Sequence, residues 1–138
     1  MTSNNRCSDF KSIQIPFTLW QRLGRIASHT GITRNLILRM AFCYRIEQDK
    51  GLSEDRATKE TDSKVISKEV LFGDYSELFF DLFYVWYEAN SDMKTKSELE
   101  LFKSLIIEGG NDICHKLLDK NDDLLSLKKL KDLISGDK

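Results

Sequence analysis

From Lys11 to Phe17 the chain alternates, with Ile13, Ile15 and Phe17 on one side and Ser12 and Gln14 on the other. That pattern predicts a short strand, and Pro16 marks its end because proline cannot donate to a ladder. The period then lengthens to that of a helix, with Leu19, Leu23, Ile26, Ala27 and Thr30 on one face of a segment from Thr18 to Thr30. Thr18 is its expected N-cap, and Gly31 stands where a helix needs a left-handed C-terminal residue. A second helix is expected from Arg34 to Gln48, capped by Thr33, and it is apolar on two sides. Leu36, Ile37, Met40 and Tyr44 form one side, while Leu38 and Phe42 lie on the other beside Arg34 and Arg45. Such a helix is sandwiched between layers or between subunits. In so short a chain subunits are favoured, which makes Leu38 and Phe42 the expected oligomer interface.

Asp49 to Glu69 is charged and polar, with Leu52, Ala57, Val65 and Ile66 as its apolar residues. It exceeds the length of most ordered loops, so 49–70 reads as a mobile charged insertion. Asp74 to Asn90 predicts a helix that is apolar nearly all round, leaving one polar stripe of Asp74, Glu77, Asp81, Tyr84 and Glu88. A further helix is expected from Lys96 to Glu108, with Ser97 as its cap and Leu99, Phe102, Leu105 and Ile106 inward. Gly109-Gly110 is expected to break it, and Asn111 to begin a shorter helix carrying Ile113, Leu117 and Leu118. Asp123 to Ile134 reads as an amphipathic helix. The resulting fold class is mainly α, a short N-terminal strand followed by a bundle of about five helices in a single domain spanning 1–138. Within it lie a basic strand-helix-helix module at 11–48, the insertion at 49–70 and a helical remainder at 71–138.

Composition changes this picture little. Hydrophobic residues make up 41% and charged residues 31% of the 138, which suits a packed core. The most apolar run, Leu78 to Tyr87, is interrupted by Asp81 and is half the roughly 20 residues of a spanning helix. A cytoplasmic protein without membrane contact is expected. Cys7, Cys43 and Cys114 are widely spaced and form no metal or redox pair. His115 adjoins Cys114, but neighbouring helical residues point away from each other, so no nucleophile–base pair results. No phosphate-cradling glycine motif is present in the sequence. A non-enzyme with no cofactor, metal or catalytic residue is the expectation.

Charge distribution is more informative than the net of −1. Residues 1–50 carry eight Lys/Arg against three Asp/Glu, and the remaining 88 carry 13 against 19, a split of +5 and −6. One end therefore suits a polyanion. Arg22, Arg25 and His29 are spaced 3 and 4 apart along the first helix, Arg34 stands at the N-terminus of the second, and Asn35 and Arg39 lie one turn apart on its flank. Guanidinium groups in these places suit phosphate. With Lys11 on the strand they make Lys11, Arg22, Arg25, Arg34, Asn35 and Arg39 the candidate DNA contacts.

Strand, helix, glycine turn and helix is the order of a ribbon-helix-helix module, in which the strand pairs with its twin in a dimer and enters a DNA groove. Over residues 11–48 the wording is more specific. Thr30, Gly31, Ile32, Thr33, Asn35, Leu36 and Arg39 match the T-G-[LI]-T-x-N-[LI]-L-x-R segment of the DNA sulfur modification protein DndE family, which this chain resembles. The aromatic middle helix and the glycine-containing later helix are similar more loosely, and Glu108 stands where that family has a basic residue before the glycine. The resemblance implies a non-enzymatic DNA-binding accessory of DNA phosphorothioation, in which sulfur replaces a backbone oxygen. It would bind duplex DNA, nicked duplex above all, as a homo-oligomer working with other Dnd proteins. Two other readings stand beside it: a ribbon-helix-helix transcriptional regulator, and a protein-assembly adaptor with little DNA binding.

Overall fold

The computed structural model describes residues 6–48, 62–90 and 97–118. Their order is β1 (Ser12–Pro16), α1 (Phe17–Thr30), α2 (Arg34–Glu47), β2 (Ser63–Ser67), α3 (Lys68–Phe72), α4 (Ser76–Ala89) and α5 (Glu98–Leu117). Short 3-10 turns occupy Cys7–Asp9 and Gly73–Tyr75. The protein is mainly α with a short N-terminal strand. The helix expected from Asp123 to Ile134 lies outside the described residues, as does 49–61.

β1 does not wait for a twin. It pairs antiparallel with β2, in a register running from Ser12 opposite Ser67 to Pro16 opposite Ser63. Two flanking bonds extend the ladder: the Lys68 N–H donates to the Lys11 carbonyl at 2.8 Å, and the Phe17 N–H to the Asp62 carbonyl at 3.2 Å. The end of the stretch read as an insertion is thus part of the fold. Opposed residues of an antiparallel pair share a face, so buried Ile13 meets buried Ile66, and Ile15 meets Lys64. The far side carries exposed Gln14 and Val65.

β1 runs into α1 with no intervening loop. The helix therefore begins at Phe17 with Pro16 as its N-cap, and Thr18 is not the cap. Gly31 ends α1 at φ 78°, a left-handed conformation for which glycine lacks the Cβ penalty. Thr33 and Ser97 cap α2 and α5 through their hydroxyl oxygens, which accept from the backbone N–H groups of Leu36 and Glu100.

Ile37, Leu38, Ala41, Phe42 and Arg45 are the buried residues of α2, one stripe at helical spacing. Leu38 and Phe42 are 1% and 0% exposed within the chain. They cannot be the oligomer surface, because α5 and the Phe rings cover them. Leu36 and Met40 are the exposed apolar residues of α2, at 43% and 54%. At the centre of the core Phe102 places its ring 5.2–5.8 Å from those of Phe10, Phe42, Phe72, Phe80 and Phe83.

α5 runs unbroken through Gly109-Gly110. A Cβ on residue 109 would lie 2.8 Å from the Ala41 carbonyl carbon and nearer still to its oxygen. The two glycines are therefore the flat contact on which α5 rests against α2. Beside them the Arg45 guanidinium, buried with Glu108, reaches Glu108 Oε1 at 2.9 Å and Asp112 Oδ2 at 3.3 Å. Glu108 thus serves the core and does not stand in for a surface base.

Candidate nucleic-acid interface

α1 presents Thr18, Gln21, Arg22 and Arg25 at offsets 0, 3, 4 and 7, one stripe at helical spacing. The buried face of the same helix is Leu19, Leu23 and Ile26, so the stripe lies beside the core contact and not within it. Together the four line a surface recess of about 200 Å³. Two guanidinium groups, an amide and a hydroxyl give it hydrogen-bond donors suited to an oxyanion. His29 continues down the helix, exposed, with Nδ1 2.9 Å from the Arg25 carbonyl oxygen.

The other arginines of the module do different things. Arg34 turns back over α1, where its Nε donates to the Trp20 carbonyl at 2.9 Å. Its guanidinium carbon lies 4.6 Å from the centroid of the Trp20 ring. Gly24 permits this crossing, since a Cβ there would lie 2.7 Å from the same carbon. Arg39 points the other way, about 140° from Arg34 round a helix of 3.6 residues per turn, and its Nε donates to the Leu71 carbonyl at the end of α3. It also lines an apolar concavity of about 440 Å³ with Met40, Cys43, Tyr44, Glu47 and Phe79. Asn35 is half-buried, and its Oδ1 is a buried acceptor with no hydrogen-bond partner among the described residues. Lys11 is exposed just before the far end of β1, about 20 Å along the strand from the start of α1 at 3.3 Å per residue. The structure therefore gathers Arg22 and Arg25, ties Arg34 to the neighbouring Trp20, and sets Lys11 and Arg39 apart.

Lys64 escapes a reading of the sequence, because it lies in the stretch that reads as an insertion. Opposite Ile15 it stands at the strand end next to α1, with Nζ 5.9 Å from the Trp20 ring centroid. The available signal is the i, i+2 relation of Lys64 to Ile66, which puts both on one strand face.

Cys43 is exposed, whereas Cys7 and Cys114 are buried. Burial first, and the charge of Glu98 second, push the Cys7 thiol far up; burial and then Glu47 raise Cys43. Both changes disfavour the thiolate that nucleophilic chemistry requires. Glu98 also accepts from the Tyr84 hydroxyl at 2.8 Å and from the Cys7 N–H at 3.2 Å, which fixes the first turn of α5 against α4. Asp74, Glu77, Asp81 and Glu88 of the acidic stripe are exposed. No group of three or more His, Cys, Asp or Glu placed to hold a metal occurs among the described residues. No helix among them is long and apolar enough to cross a membrane.

A family model described as DNA sulphur modification protein DndE matches residues 13–120. The comparison with curated proteins gives no match. Among solved structures, this chain is similar to the crystal structure of DndE from Escherichia coli B7A, involved in DNA phosphorothioation modification. The TM-score is 0.57 at 19% sequence identity, with 75% of this chain and 95% of that chain covered. At that identity the likeness is one of fold.

Proposed function

The chain belongs to the DndE family of DNA sulphur modification proteins, and from that premise we propose that it is a non-enzymatic accessory of DNA phosphorothioation that holds duplex DNA through its phosphates. The observation that supports this most is the recess of Thr18, Gln21, Arg22 and Arg25 on α1. Its two guanidinium groups match phosphate oxygens, contacts that hold a protein on the duplex without reading its sequence. Nicked duplex binds better than intact duplex in this reading, since a nick bends at little cost and brings both arms to the basic surface. The protein works in the cytoplasm with other sulphur-modification proteins and needs no cofactor of its own.

Salt dependence tests the proposal. Removing one phosphate-binding cation lowers the log–log salt slope by roughly 0.9 on duplex DNA. Arg22→Ala with Arg25→Ala should therefore flatten the slope by about 1.8 and weaken binding alike across unrelated sequences. Affinity that hardly changes between low and moderate salt would refute the reading. Strong dependence on one base sequence would instead favour a transcriptional regulator, a reading deprived of its twin-strand ribbon because β1 pairs with β2. The adaptor reading has one observation in its favour. Leu36 and Met40 are exposed apolar residues next to the concavity on α2, a surface that suits self-association or a protein partner. Met40→Glu should then lower the sedimenting mass while leaving helical content unchanged.

A further inference from the structure

Trp20 is one of two tryptophans in the chain, and it stands where three elements meet. The indole belongs to α1; Arg34 of α2 and Lys64 of β2 bring cations to it at 4.6 Å and 5.9 Å from the ring centroid. Trp86, by contrast, is 3% exposed in the core, whereas Trp20 is half-buried at the surface.

The two cations are held in different ways. Arg34 is fixed, with its Nε bonded to the Trp20 carbonyl and its guanidinium carried across the bare backbone of Gly24. It is a rigid planar backing for the indole. Lys64 is an exposed strand lysine whose ammonium lies at the outer limit of a cation–π contact, about 6 Å. A long flexible stem lets it swing away from the ring without disturbing the ladder. An aromatic ring bordered by positive charge offers two things that a duplex phosphate does not use together: a π-surface and a counter-charge one residue's reach away. Proteins bind single-stranded nucleic acid through this combination, stacking the base on the ring while cations take the backbone.

We infer that Trp20 is a stacking platform for one unpaired nucleobase, backed by Arg34, with Lys64 taking the phosphate beside it. The inference rests on the DNA-binding reading above and adds to it a preference for DNA with an exposed base. It places this contact on the same helix as the Arg22–Arg25 recess but on its opposite flank, because Trp20 stands about 140° from Arg25 and about 160° from Arg22 round a helix of 3.6 residues per turn.

The test compares the full chain's binding of a short oligothymidylate and an abasic oligonucleotide of equal length, read by tryptophan fluorescence and by anisotropy of an end label, with intact duplex as control. Oligothymidylate should quench Trp20 and bind about tenfold tighter than the abasic strand. Trp20→Leu should abolish the quench and equalise the two strands, and Trp20→Phe should keep part of the preference. Lys64→Ala, a change on the exposed strand that spares the core, should weaken both strands and leave their ratio intact. Equal binding of the two strands without quenching, beside normal salt-dependent duplex binding, would overturn the stacking site alone. Retention of the preference in Trp20→Leu would do the same. Failure of every DNA to bind would overturn both readings.

Discussion

Gly109→Ala makes the contact between α2 and α5 measurable. In an ordinary helix interior this change stabilises by about 1 kcal/mol, because alanine has the higher helix propensity. Here the added Cβ meets the Ala41 carbonyl carbon at 2.8 Å, at least 0.6 Å inside ordinary contact at 3.4 Å, and its oxygen more closely still. The obstacle is backbone in the middle of a helix, so α2 and α5 must part. Overpacking of this kind costs about 1–3 kcal/mol, and a rigid obstacle places it near the upper end. The net is a loss of about 2 kcal/mol, or a fall in Tm of about 6–10 °C for a chain of this size. Gly110→Ala is the control, since its Cβ would meet leucine methyls of Leu19 and Leu38 at 3.2 Å, which can yield by a few tenths of an ångström. Its propensity gain should leave stability within about 1 kcal/mol of wild type. Urea unfolding followed by circular dichroism at equal m-value reads both. A Gly109→Ala protein as stable as wild type, or more so, would refute the close approach of the two helices.

Two further outcomes follow from buried groups. Glu108→Ala removes the 2.9 Å partner of a buried guanidinium and should cost about 3 kcal/mol in the same urea assay, with Asp112 retained. Cys7 is raised by burial and by Glu98 from its ordinary 9.0, so its contribution to stability is full below pH 9 and is lost as pH rises toward the raised value. Unfolding free energy should fall on the alkaline side, and Cys7→Ala should flatten that fall; a slope identical to wild type would count against it. In the folded protein Cys43 is the exposed thiol, and its rate with a thiol reagent should still be rising with pH at 9.

The helices are legible in the sequence because each buries a stripe at helical spacing, as Leu19, Leu23 and Ile26 do on α1. The caps at Thr33 and Ser97 are legible because a hydroxyl there has an N–H to receive. β2 is not, since Ile66 is its one buried residue and its pairing partner lies far off in sequence. The Gly109-Gly110 pair misleads because propensity reads glycine as a break, whereas here the missing Cβ is a tertiary contact. The two apolar sides of α2 read as surplus for a subunit, yet a single stripe takes Ile37 from one and Leu38 from the other. For the candidate interface, spacing locates Arg22 and Arg25 but cannot say where long side chains go. Arg34 to Trp20, Arg39 to Leu71 and Arg45 to Glu108 are choices made by neighbours remote in sequence.

The β1–β2 ladder also decides how the N-terminal module comes to be made. Ser12 and Ser67 are 55 positions apart along the chain, and closing a loop of that length opposes pairing by about 3.5 kcal/mol in a flexible chain, from (3/2)RT ln n. Helices α1 and α2, built from local contacts, shorten that search if they form first, which makes the sheet a late event in folding. A strand that needed a twin would form at a rate proportional to protein concentration. This one closes at a rate set by the chain's own diffusion, so a newly made molecule can complete its sheet without meeting another.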